Sequence, residues 1–282
     1  MPELPEVETI KNVIAPQIQG LKISEIIIKR PDIIAHPEAD KFYALAKDRT
    51  VKTVSRRGKF MIITLDSESR IVLHLRMTGC LLLAPPELPE EKHTHIVFRF
   101  ESKFNDSSSG GELRFSDMRR FGRFWALEKD EQDTYTGMAK LGPEPFDEKL
   151  TAEYLENNLK NRRKAVKECL LDQSIIAGIG NIYSDEILFT AGISPARTAN
   201  SLEKKDFEKL AAVIPERLAY FIEKNKITPE EYLKSRGQDY RNTPFLQVYG
   251  HAGEPCPICG STLVRTVIGG RSSVYCPHCQ KS

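Results

Sequence analysis

The stretch Cys256-Pro-Ile-Cys259, followed sixteen residues later by Cys276-Pro-His-Cys279, decides how the end of this chain folds. Two Cys-x-x-Cys pairs at this separation can close a tetrahedral thiolate site, because each pair wraps one side of a small ion. The intervening residues are long enough for two short strands, with a tight turn at Gly269-Gly270. We therefore predict a four-cysteine zinc ribbon whose metal-binding energy is largely its folding energy.

Two other uses of these residues stay open. In a secreted domain the four thiols would form two disulfides, but the acidic N-terminus does not resemble a signal peptide. His278 lies inside the second pair and competes as a ligand, although four thiolates make it unnecessary. The predicted hairpin tip presents Arg271, one of the few charged residues in the ribbon.

Length and charge limit the classes of protein. The 282 residues suggest two domains, and 41 basic against 39 acidic residues create no global field for a polyanion. The basic residues are grouped in runs at 56–59, 119–123 and 162–167. Such runs are more often solvated faces than binding sites, yet three of them beside a zinc ribbon favour phosphate contact. No apolar run reaches membrane-span length, so we expect a soluble protein of a reducing compartment.

The first half of the sequence predicts β-structure behind one helix. The helix is predicted to follow Glu6 and to end at Gly20, with Pro16 kinking or shortening its last turn. Runs rich in Ile, Val and Phe then predict strands. These are Lys22–Arg30, Thr50–Arg56, Phe60–Asp66, Arg70–Arg76, Thr94–Phe100, Glu112–Phe115 and Arg123–Leu127. The natural architecture is a β-sandwich or flattened barrel.

The second half changes to helical periodicity after a Pro/Gly-rich linker. Helices are predicted at 151–159, capped by Thr151, at 163–171, and from Ser201, where Pro215 should break or kink the helix. Residues 227–247 look polar and irregular. We predict an α+β protein with domains at 1–141, 151–250 and 251–282 and a linker at 142–150.

Glycines 178 and 180 precede a further predicted helix that starts near Asn181. Two glycines before a helix start leave backbone N–H groups open, which is a ready anion site. Because no strand precedes them, a dinucleotide-binding fold is rejected.

The N-terminus carries a candidate nucleophile. If Met1 is removed, Pro2 becomes a secondary amine that can attack a carbon electrophile and form an iminium. Glu3 would lie beside it as a proton carrier. A simpler interpretation of an early proline is that it marks the start of a helix, and for Pro5 this interpretation is sufficient.

Several motifs occur together in a fixed order. They are Met1-Pro-Glu-Leu-Pro-Glu6, Arg57-Gly-Lys59, His74-Leu-Arg-Met77, Arg119-Arg-Phe-Gly122, Asp172-Gln-Ser through Asn181-Ile-Tyr183, and the four-cysteine ribbon. Together they closely resemble the formamidopyrimidine-DNA glycosylase family, bacterial repair enzymes for oxidised purines. The resemblance covers essentially the whole chain, and the N-terminal hexapeptide with the 178–183 segment is its most selective part.

The resemblance implies a β-sandwich domain and a helical domain with a helix-two-turns-helix element and zinc ribbon, with DNA bound in the cleft between them. It implies Pro2 as the nucleophile at the sugar C1′ and Glu3 as the group that protonates the sugar as its ring opens. Lys59 matches the lysine that supports β-elimination or contacts phosphate, and Arg271 matches an arginine that holds phosphate and takes part in the second elimination. DNA-backbone contact is implied for four further residues. These are His74, His93, Arg163 and Asn181.

A glycosylase must extrude the damaged nucleotide and fill the gap that it leaves. Met77, Arg119 and Phe121 match the three residues with which the family fills this gap. Two of them are apolar, and the guanidinium can hydrogen-bond the base left unpaired on the opposite strand. Without the resemblance, core packing of Met77 and Phe121 and a surface salt bridge of Arg119 would be preferred. The implied partner is damaged double-stranded DNA and the implied cofactor one structural Zn²⁺, in a monomer located in the bacterial cytoplasm and on the nucleoid.

One departure from the family bears on the substrate. Family members usually carry a longer, glycine-rich loop after Asp239-Tyr240-Arg-Asn242, which closes over a flipped 8-oxoguanine. Here only Thr243-Pro-Phe245 precedes Leu246, and Pro244 would stiffen the segment. The expected substrates are formamidopyrimidine and 8-oxoguanine; recognition of 8-oxoguanine is the one that the shorter segment puts in question, and other oxidised bases stay open.

Three alternatives remain. A member of the same family could prefer oxidised pyrimidines, although the Pro-Glu-Leu-Pro-Glu opening favours purines. A non-catalytic zinc-ribbon protein would bind nucleic acid whether or not Pro2 is free. A metabolic enzyme with a structural zinc would bind DNA weakly and without salt dependence.

Overall fold

The computed structural model describes residues 2–101, 111–237 and 241–281, which form two compact units. The first unit takes Met1–Pro2, Glu6–Ala139 and Lys226–Tyr240, and the second takes Glu3–Pro5, Lys140–Asn225 and Arg241–Ser282. The finer division predicted from the sequence stays a prediction. Among the described residues, no helix is both long and apolar enough to cross a bilayer.

The first unit contains two sheets. One has the strand order β1-β7-β8-β6, formed by Ile23–Ile28 (β1), Thr94–Phe100 (β7), Glu112–Asp117 (β8) and Gly79–Ala84 (β6). The other has the order β2-β9-β5-β4-β3, formed by Ile34–His36 (β2), Arg123–Leu127 (β9), Arg70–His74 (β5), Phe60–Leu65 (β4) and Val51–Arg57 (β3). Strand β2 pairs with β9 in parallel, and the other neighbours pair antiparallel.

The inner faces of the two sheets meet through aromatic rings. Phe115 of β8 lies with its ring centre 5.0 Å from that of Phe124 of β9, at 77°. Phe98 of β7 contacts the same ring at 6.1 Å. Helix α1, Leu4–Ile18, buries its apolar stripe in the same core. The predicted β-sandwich with a flanking helix is confirmed.

Helix α1 corrects two details of the prediction. It begins at Leu4 rather than after Glu6, because a proline in the first turn lacks only an N–H that has no partner within the helix. It also ends at Ile18 rather than at Gly20, two residues past Pro16, and the Gln17 side chain donates to the Val13 carbonyl at 2.7 Å; a kink at Pro16 stays a prediction.

Several short elements of the first unit were missed. Strand β6 has no polar alternation because almost all its residues are buried, and β2 has only three residues. Helix α2, Ala39–Ala46, and helix α7, Pro229–Lys234, are one to two turns long. In α7, Thr228 accepts from the Glu231 N–H and Glu231 from the Thr228 N–H, so Pro229–Lys234 form a capped helix within the segment 227–247 that was predicted as irregular.

The second unit is helical. It contains α3 (Ala152–Leu159), α4 (Val166–Leu171), α5 (Asn181–Ala191) and α6 (Lys204–Lys224), followed by the strands β10 (Val264–Ile268) and β11 (Arg271–Tyr275). Thr151 caps α3 as predicted, accepting from the Tyr154 N–H at 3.0 Å. Helix α4 begins three residues later than predicted. Helix α6 begins at Lys204 rather than Ser201, because Glu203 and Asp206 form its cap, and it continues through Pro215.

A buried ion pair joins the helices to the ribbon. Lys167 of α4 donates to Asp185 of α5 at 2.7 Å, and both side chains are 0% exposed. Lys167 also donates to the Ser272 carbonyl at 3.0 Å. Asp185 accepts from the Ser273 hydroxyl at 2.6 Å and the Val274 N–H at 3.0 Å. Burial lowers the pKa of the Lys167 amine and raises that of the Asp185 carboxyl, so each charge depends on its partner.

We expect Lys167→Met to lower the free energy of unfolding by about 3–5 kcal/mol, because the buried Asp185 carboxylate would lose its partner and would have to stay charged alone or take up a proton, and either is costly. The matched control is Lys204→Met, which breaks an exposed pair with Glu208 and should cost less than about 0.5 kcal/mol. Urea unfolding measures both. Equal losses in the two variants would contradict this view of the pair.

Candidate functional site

Pro2 lines a cavity of about 550 Å³ in the first unit. The lining further includes Met77–Cys80, Glu91–His93, Ser116–Met118 and Gly237. Pro2 itself is buried. A buried residue at the wall of an open cavity can meet a bound ligand while most of the solvent is excluded. The position therefore suits a nucleophile.

Glu3 is held by the start of α5, within the second unit. Its carboxylate accepts from the Gly180 N–H at 2.8 Å, the Ile182 N–H at 2.9 Å and the Tyr183 N–H at 3.3 Å, and the residue is 1% exposed. A Cβ at Gly180 would lie 2.3 Å from the Glu3 Cδ, so this glycine makes room for the carboxylate.

The prediction of an open anion site at this helix start is therefore wrong for these three N–H groups. The helix start does bind an anion, but the anion is a side chain of the same chain. The sequence signal was the glycine pair, and the Glu3 partner lies about 180 residues away, so local patterns could not reveal it.

Lys59 lies in a two-residue turn between β3 and β4, where Arg57 pairs with Phe60. Gly58 supplies the positive φ of 56° that this turn requires. Lys59 is 9% exposed. Its positive charge acts on His74, which lies opposite Phe60 in the β4–β5 pairing.

His74 is a neutral residue at physiological pH. Burial, followed by the positive charges of Arg76 and Lys59, lowers its pKa to about 3. Its Nδ1 accepts the Arg76 N–H at 2.9 Å, which leaves Nε2 as the N–H donor of the neutral ring. The predicted backbone contact of His74 would thus be a neutral hydrogen bond to phosphate.

The predicted gap-filling side chains are exposed. Met77 is 37% and Phe121 46% exposed, so the alternative of ordinary core packing is wrong for both. The Arg119 guanidinium lies 4.6 Å from the centre of the Phe121 ring, within the range of a cation–π contact. The backbone carbonyl of His93 accepts from the Asp117 N–H at 3.0 Å, close to the residues that precede Arg119.

In the second unit, the residues predicted to contact phosphate lie at element ends. Arg163 is exposed in the turn before α4. Asn181 begins α5 and donates its Nδ2 to the Ser272 carbonyl at 3.0 Å. Arg271 begins β11 and is exposed. The structure thus brings Asn181 next to the strand that starts with Arg271. The catalytic and DNA-binding roles of all these residues stay predictions.

The short loop, Thr243–Phe245, and the Asn242 residue before it make contacts within the second unit. The Asn242 amide donates to the Tyr183 hydroxyl at 2.5 Å, and both residues are buried. Thr243–Phe245 form a 3-10 turn in which the Phe245 ring meets Tyr220 edge-on and lies 4.7 Å from the Lys224 Nζ. Residues 239 and 240 of the same predicted loop lie outside the described residues.

Glu186 of α5 was not recognised from the sequence. Its carboxylate is 0% exposed and accepts from the N–H groups of Gln247, Val248 and Tyr249 at 2.9–3.1 Å. Burial raises the pKa of this carboxyl, and the three N–H groups oppose the shift. The contact fixes the segment that leads into the ribbon. No local pattern distinguishes Glu186 from a solvent-exposed helix residue.

The ribbon cysteines form a metal site. The Sγ atoms of Cys256, Cys259, Cys276 and Cys279 all lie within 4.8 Å of one another. The distances are 3.9 Å between the first and last and 3.5 Å between the middle two. A tetrahedron with Zn–S bonds of about 2.3 Å has edges of about 3.8 Å, so the four thiolates fit one Zn²⁺.

The same geometry settles the two alternatives for the ribbon. The cysteines are free thiols rather than disulfides, and His278 is exposed and outside the ligand group. The Gly269-Gly270 turn forms as predicted between Ile268 and Arg271. Four protein ligands leave no open position, so the zinc is structural.

We expect Cys276→Ser to reduce the bound zinc from about one ion per chain to well below one after dialysis against a chelator, because three thiolates do not close the site. Cys169→Ser is the matched control, since Cys169 is equally buried but belongs to the helical core. Atomic emission on the purified proteins measures the content. Full zinc in the Cys276 variant would contradict the assignment.

The lowered pKa of His74 predicts a pH effect on stability. Below about pH 6.5 the His74 imidazole is protonated in the unfolded chain, but in the folded protein it stays neutral down to about pH 3. The free energy of unfolding therefore falls as the pH falls through this window. Between about pH 7.5 and 5.5, wild type should lose about 1 kcal/mol more than His74→Gln. Urea unfolding at the two pH values measures this. His278→Gln, at an exposed site, should behave like wild type, and equal losses in His74→Gln would contradict the prediction.

Comparison with known families identifies each part of the chain. The formamidopyrimidine-DNA glycosylase N-terminal domain matches residues 1–124, the H2TH domain of the same enzymes matches residues 141–232, and the zinc finger found in FPG and IleRS matches residues 253–281. The formamidopyrimidine-DNA glycosylase of Pelotomaculum thermopropionicum is 40% identical over 281 residues, covering 100% of this chain and 99% of the relative. That of Carboxydothermus hydrogenoformans is 42% identical and covers 100% of both.

Solved structures agree with this result. A Lactococcus lactis FPG mutant in complex with DNA containing Fapy-dG superimposes with a TM-score of 0.88 at 31% identity, covering 100% of both chains. The wild-type enzyme of that organism, bound to DNA containing an oxidised pyrimidine, gives 0.89 at 32% identity with the same coverage. This chain therefore belongs to the formamidopyrimidine-DNA glycosylase family of enzymes.

Proposed function

We propose that this protein is a bifunctional DNA glycosylase and AP lyase that removes oxidised purines, formamidopyrimidines above all, from double-stranded DNA. The observation that carries the proposal is the position of Pro2 at the wall of a cavity. The family membership and the named activity of relatives at 40–42% identity support it.

The chemistry begins with the Pro2 amine after removal of Met1. Its nitrogen attacks C1′ of the lesion, and the bond from C1′ to the base breaks. The sugar ring then opens: the nitrogen loses its proton, its lone pair forms the C=N bond of an iminium, and O4′ leaves C1′ and gains a proton. Glu3 is the candidate for delivering that proton. No redox or nucleotide cofactor takes part in this sequence.

The iminium makes strand cleavage a continuation of base removal. Loss of a C2′ proton drives departure of the 3′ phosphate, and a second elimination releases the 5′ phosphate. Lys59 is the candidate for supporting the first elimination, and Arg271 for holding phosphate during the second. Lys59 is 9% exposed and its amine is an ammonium with three N–H donors, which suits either proton transfer or phosphate contact.

DNA binding relies on local rather than global charge. Arg163 and Arg271 are exposed cations, and His74 and Asn181 offer neutral N–H donors for the phosphate backbone. Several such contacts can offset an extrusion cost of a few kcal/mol. Met77, Arg119 and Phe121 then fill the gap, since the three side chains are exposed and Arg119 already stacks on Phe121.

The lesion preference follows from the short loop. A longer flexible loop could fold over the extruded base, but here Asn242 and Phe245 are fixed by Tyr183, Tyr220 and Lys224. We infer that formamidopyrimidines are removed faster than 8-oxoguanine. A second candidate substrate is an oxidised pyrimidine, because a structural relative at 32% identity was solved with DNA that contains one.

The working form is a monomer that acts in the cytoplasm, on nucleoid DNA. Four zinc-binding thiolates are typical of a reducing compartment, where structural disulfides do not persist.

The test is borohydride trapping on duplexes that carry formamidopyrimidine, 8-oxoguanine, an oxidised pyrimidine or an abasic site. A covalent complex should form with wild type and be largely lost in Pro2→Gly, because glycine lacks the pyrrolidine ring that holds the Pro2 nitrogen as a constrained, more nucleophilic secondary amine. Pro5→Gly is the control, since Pro5 lies in α1 and should trap like wild type. DNA affinity of the Pro2 variant should stay within about threefold.

Each result has a distinct meaning. Faster removal of formamidopyrimidine than of 8-oxoguanine supports the inference from the short loop, and the reverse order contradicts it. Trapping on the abasic duplex alone would mean a lyase that accepts another base. Binding without trapping on any duplex, with Met1 shown to be removed, would favour the non-catalytic zinc-ribbon protein.

A further inference from the structure

The loop that carries Met77 and the loop that carries Arg119 and Phe121 adjoin neighbouring strand ends in the first unit. Strands β6 and β8 are antiparallel, and their pairing sets Gly79 opposite Asp117. Met77 and Thr78 therefore precede the start of β6 at the same edge where Arg119 and Phe121 follow the end of β8. Antiparallel pairing alone brings the loops together, but it does not fix the conformation of either.

The Asp117 carboxylate organises the second loop. It is 1% exposed, and it accepts the Arg119 N–H on Oδ1 at 3.1 Å and the Gly122 N–H on Oδ2 at 2.7 Å. The Asp117 carbonyl accepts from the Arg120 N–H at 3.2 Å and lies 2.7 Å from the His95 Nε2. Both carboxylate oxygens are thus used within five residues of the chain.

Thr78 links this network to the first loop. Its hydroxyl donates to the Asp117 Oδ1 and accepts the Arg119 N–H at 3.2 Å. One hydroxyl thereby joins the residue after Met77 to the backbone of Arg119. A hydrogen bond to a carboxylate, such as the partly buried one from Thr78 to Asp117, is about twice as strong as a bond between neutral groups.

Close packing limits other conformations at this edge. A Cβ at Gly122 would lie 2.3 Å from the Phe115 ring, and one at Gly79 would lie 2.3 Å from the Leu75 carbonyl oxygen. Each loop also contains an arginine with a left-handed backbone, Arg76 at φ 57° and Arg120 at φ 56°. Such residues persist only where surrounding contacts hold them.

We propose that Thr78 and Asp117 are positioning residues that lock the Met77 turn and the Arg119–Phe121 loop into one rigid wedge before DNA binds. This inference rests on the proposed function, in which these side chains fill the gap left by an extruded base. A wedge that is already ordered loses little conformational entropy when it enters the base stack. The locked loops thus speed extrusion of the damaged nucleotide.

The variant that isolates the link is Thr78→Val, which removes the hydroxyl and keeps the side-chain shape. Thr78→Ser retains the hydroxyl and should restore wild-type behaviour. The matched control is Thr136→Val, because the Thr136 hydroxyl also donates to a carboxylate, that of Asp133, and accepts a backbone N–H, that of Met138 at 3.0 Å. The control changes the same chemistry at a site remote from the wedge in sequence.

Two assays separate extrusion from chemistry. Single-turnover base release from a lesion duplex should slow at least about tenfold in Thr78→Val, equivalent to about 1.4 kcal/mol in the barrier. Trapping on a single-stranded abasic oligonucleotide should fall by a much smaller factor than base release from the duplex, because a single strand has no base stack to open. Thr78→Ser and Thr136→Val should match wild type in both assays.

The fluorescence of 2-aminopurine beside a non-cleavable tetrahydrofuran site reports unstacking without any chemistry. Its rise on binding should slow in Thr78→Val as much as base release does. If wild type fails to trap on every substrate, the proposed function fails, while this signal still tests the wedge. Thermal unfolding checks that each variant is folded. Asp117→Asn replaces one acceptor oxygen by a donor and should show the same contrast between duplex and single strand.

Two results would overturn the proposal. One is an unchanged rate of base release and unstacking in folded Thr78→Val, which would show that the hydroxyl is not needed. The other is an equal loss on duplex and single strand, which would show general damage to the active site. Should Thr78→Val not fold, Asp117→Asn and the serine variant decide between the same outcomes.

Discussion

The carboxylates around helix α5 are the constraint on which the second unit depends. The helix is buried on nearly every side, so the segments that surround it have few water molecules for their backbone N–H groups. Glu3 accepts from the start of the helix, Asp185 from the ribbon strand β11, and Glu186 from the segment that leads into the ribbon. Each carboxylate satisfies backbone groups that would otherwise be buried without partners.

This arrangement has a functional consequence for the chain start. The first residues of a domain are usually poorly ordered unless something holds them. Glu3 is held by three hydrogen bonds, directly after the proline that the proposed chemistry uses. The ion pair of Lys167 and Asp185 similarly holds the strand that begins with Arg271. The backbone N–H groups at the start of α5 and the Lys167–Asp185 pair thus hold Glu3 and the strand of Arg271, and both of these residues are proposed to act in catalysis.

The first unit uses the same principle at a smaller scale. Asp117 and Thr78 hold two loops whose side chains are exposed, just as the buried Asp185 of the second unit holds the strand that begins with the exposed Arg271. In both units the exposed side chains proposed to meet DNA lie at the ends of helices or strands. The carboxylates that hold their backbone, Asp117 and Asp185, are buried beneath them. Rigid support from elements is what allows a loop side chain to act with defined geometry.

The sequence by itself determined the zinc ribbon, the β-sandwich, the order of the main helices and the family, because these depend on spacing, periodicity and motifs that are local in the chain. It predicted Thr94–Phe100 and Arg123–Leu127 to the residue. Only the tertiary structure showed that the N–H groups at Gly180 bind Glu3, that Asp185 and Glu186 are buried, and that Thr78 bonds to Asp117. These partners are separated by tens to nearly two hundred residues, and a carboxylate in a sequence looks the same whether water or a distant backbone will solvate it.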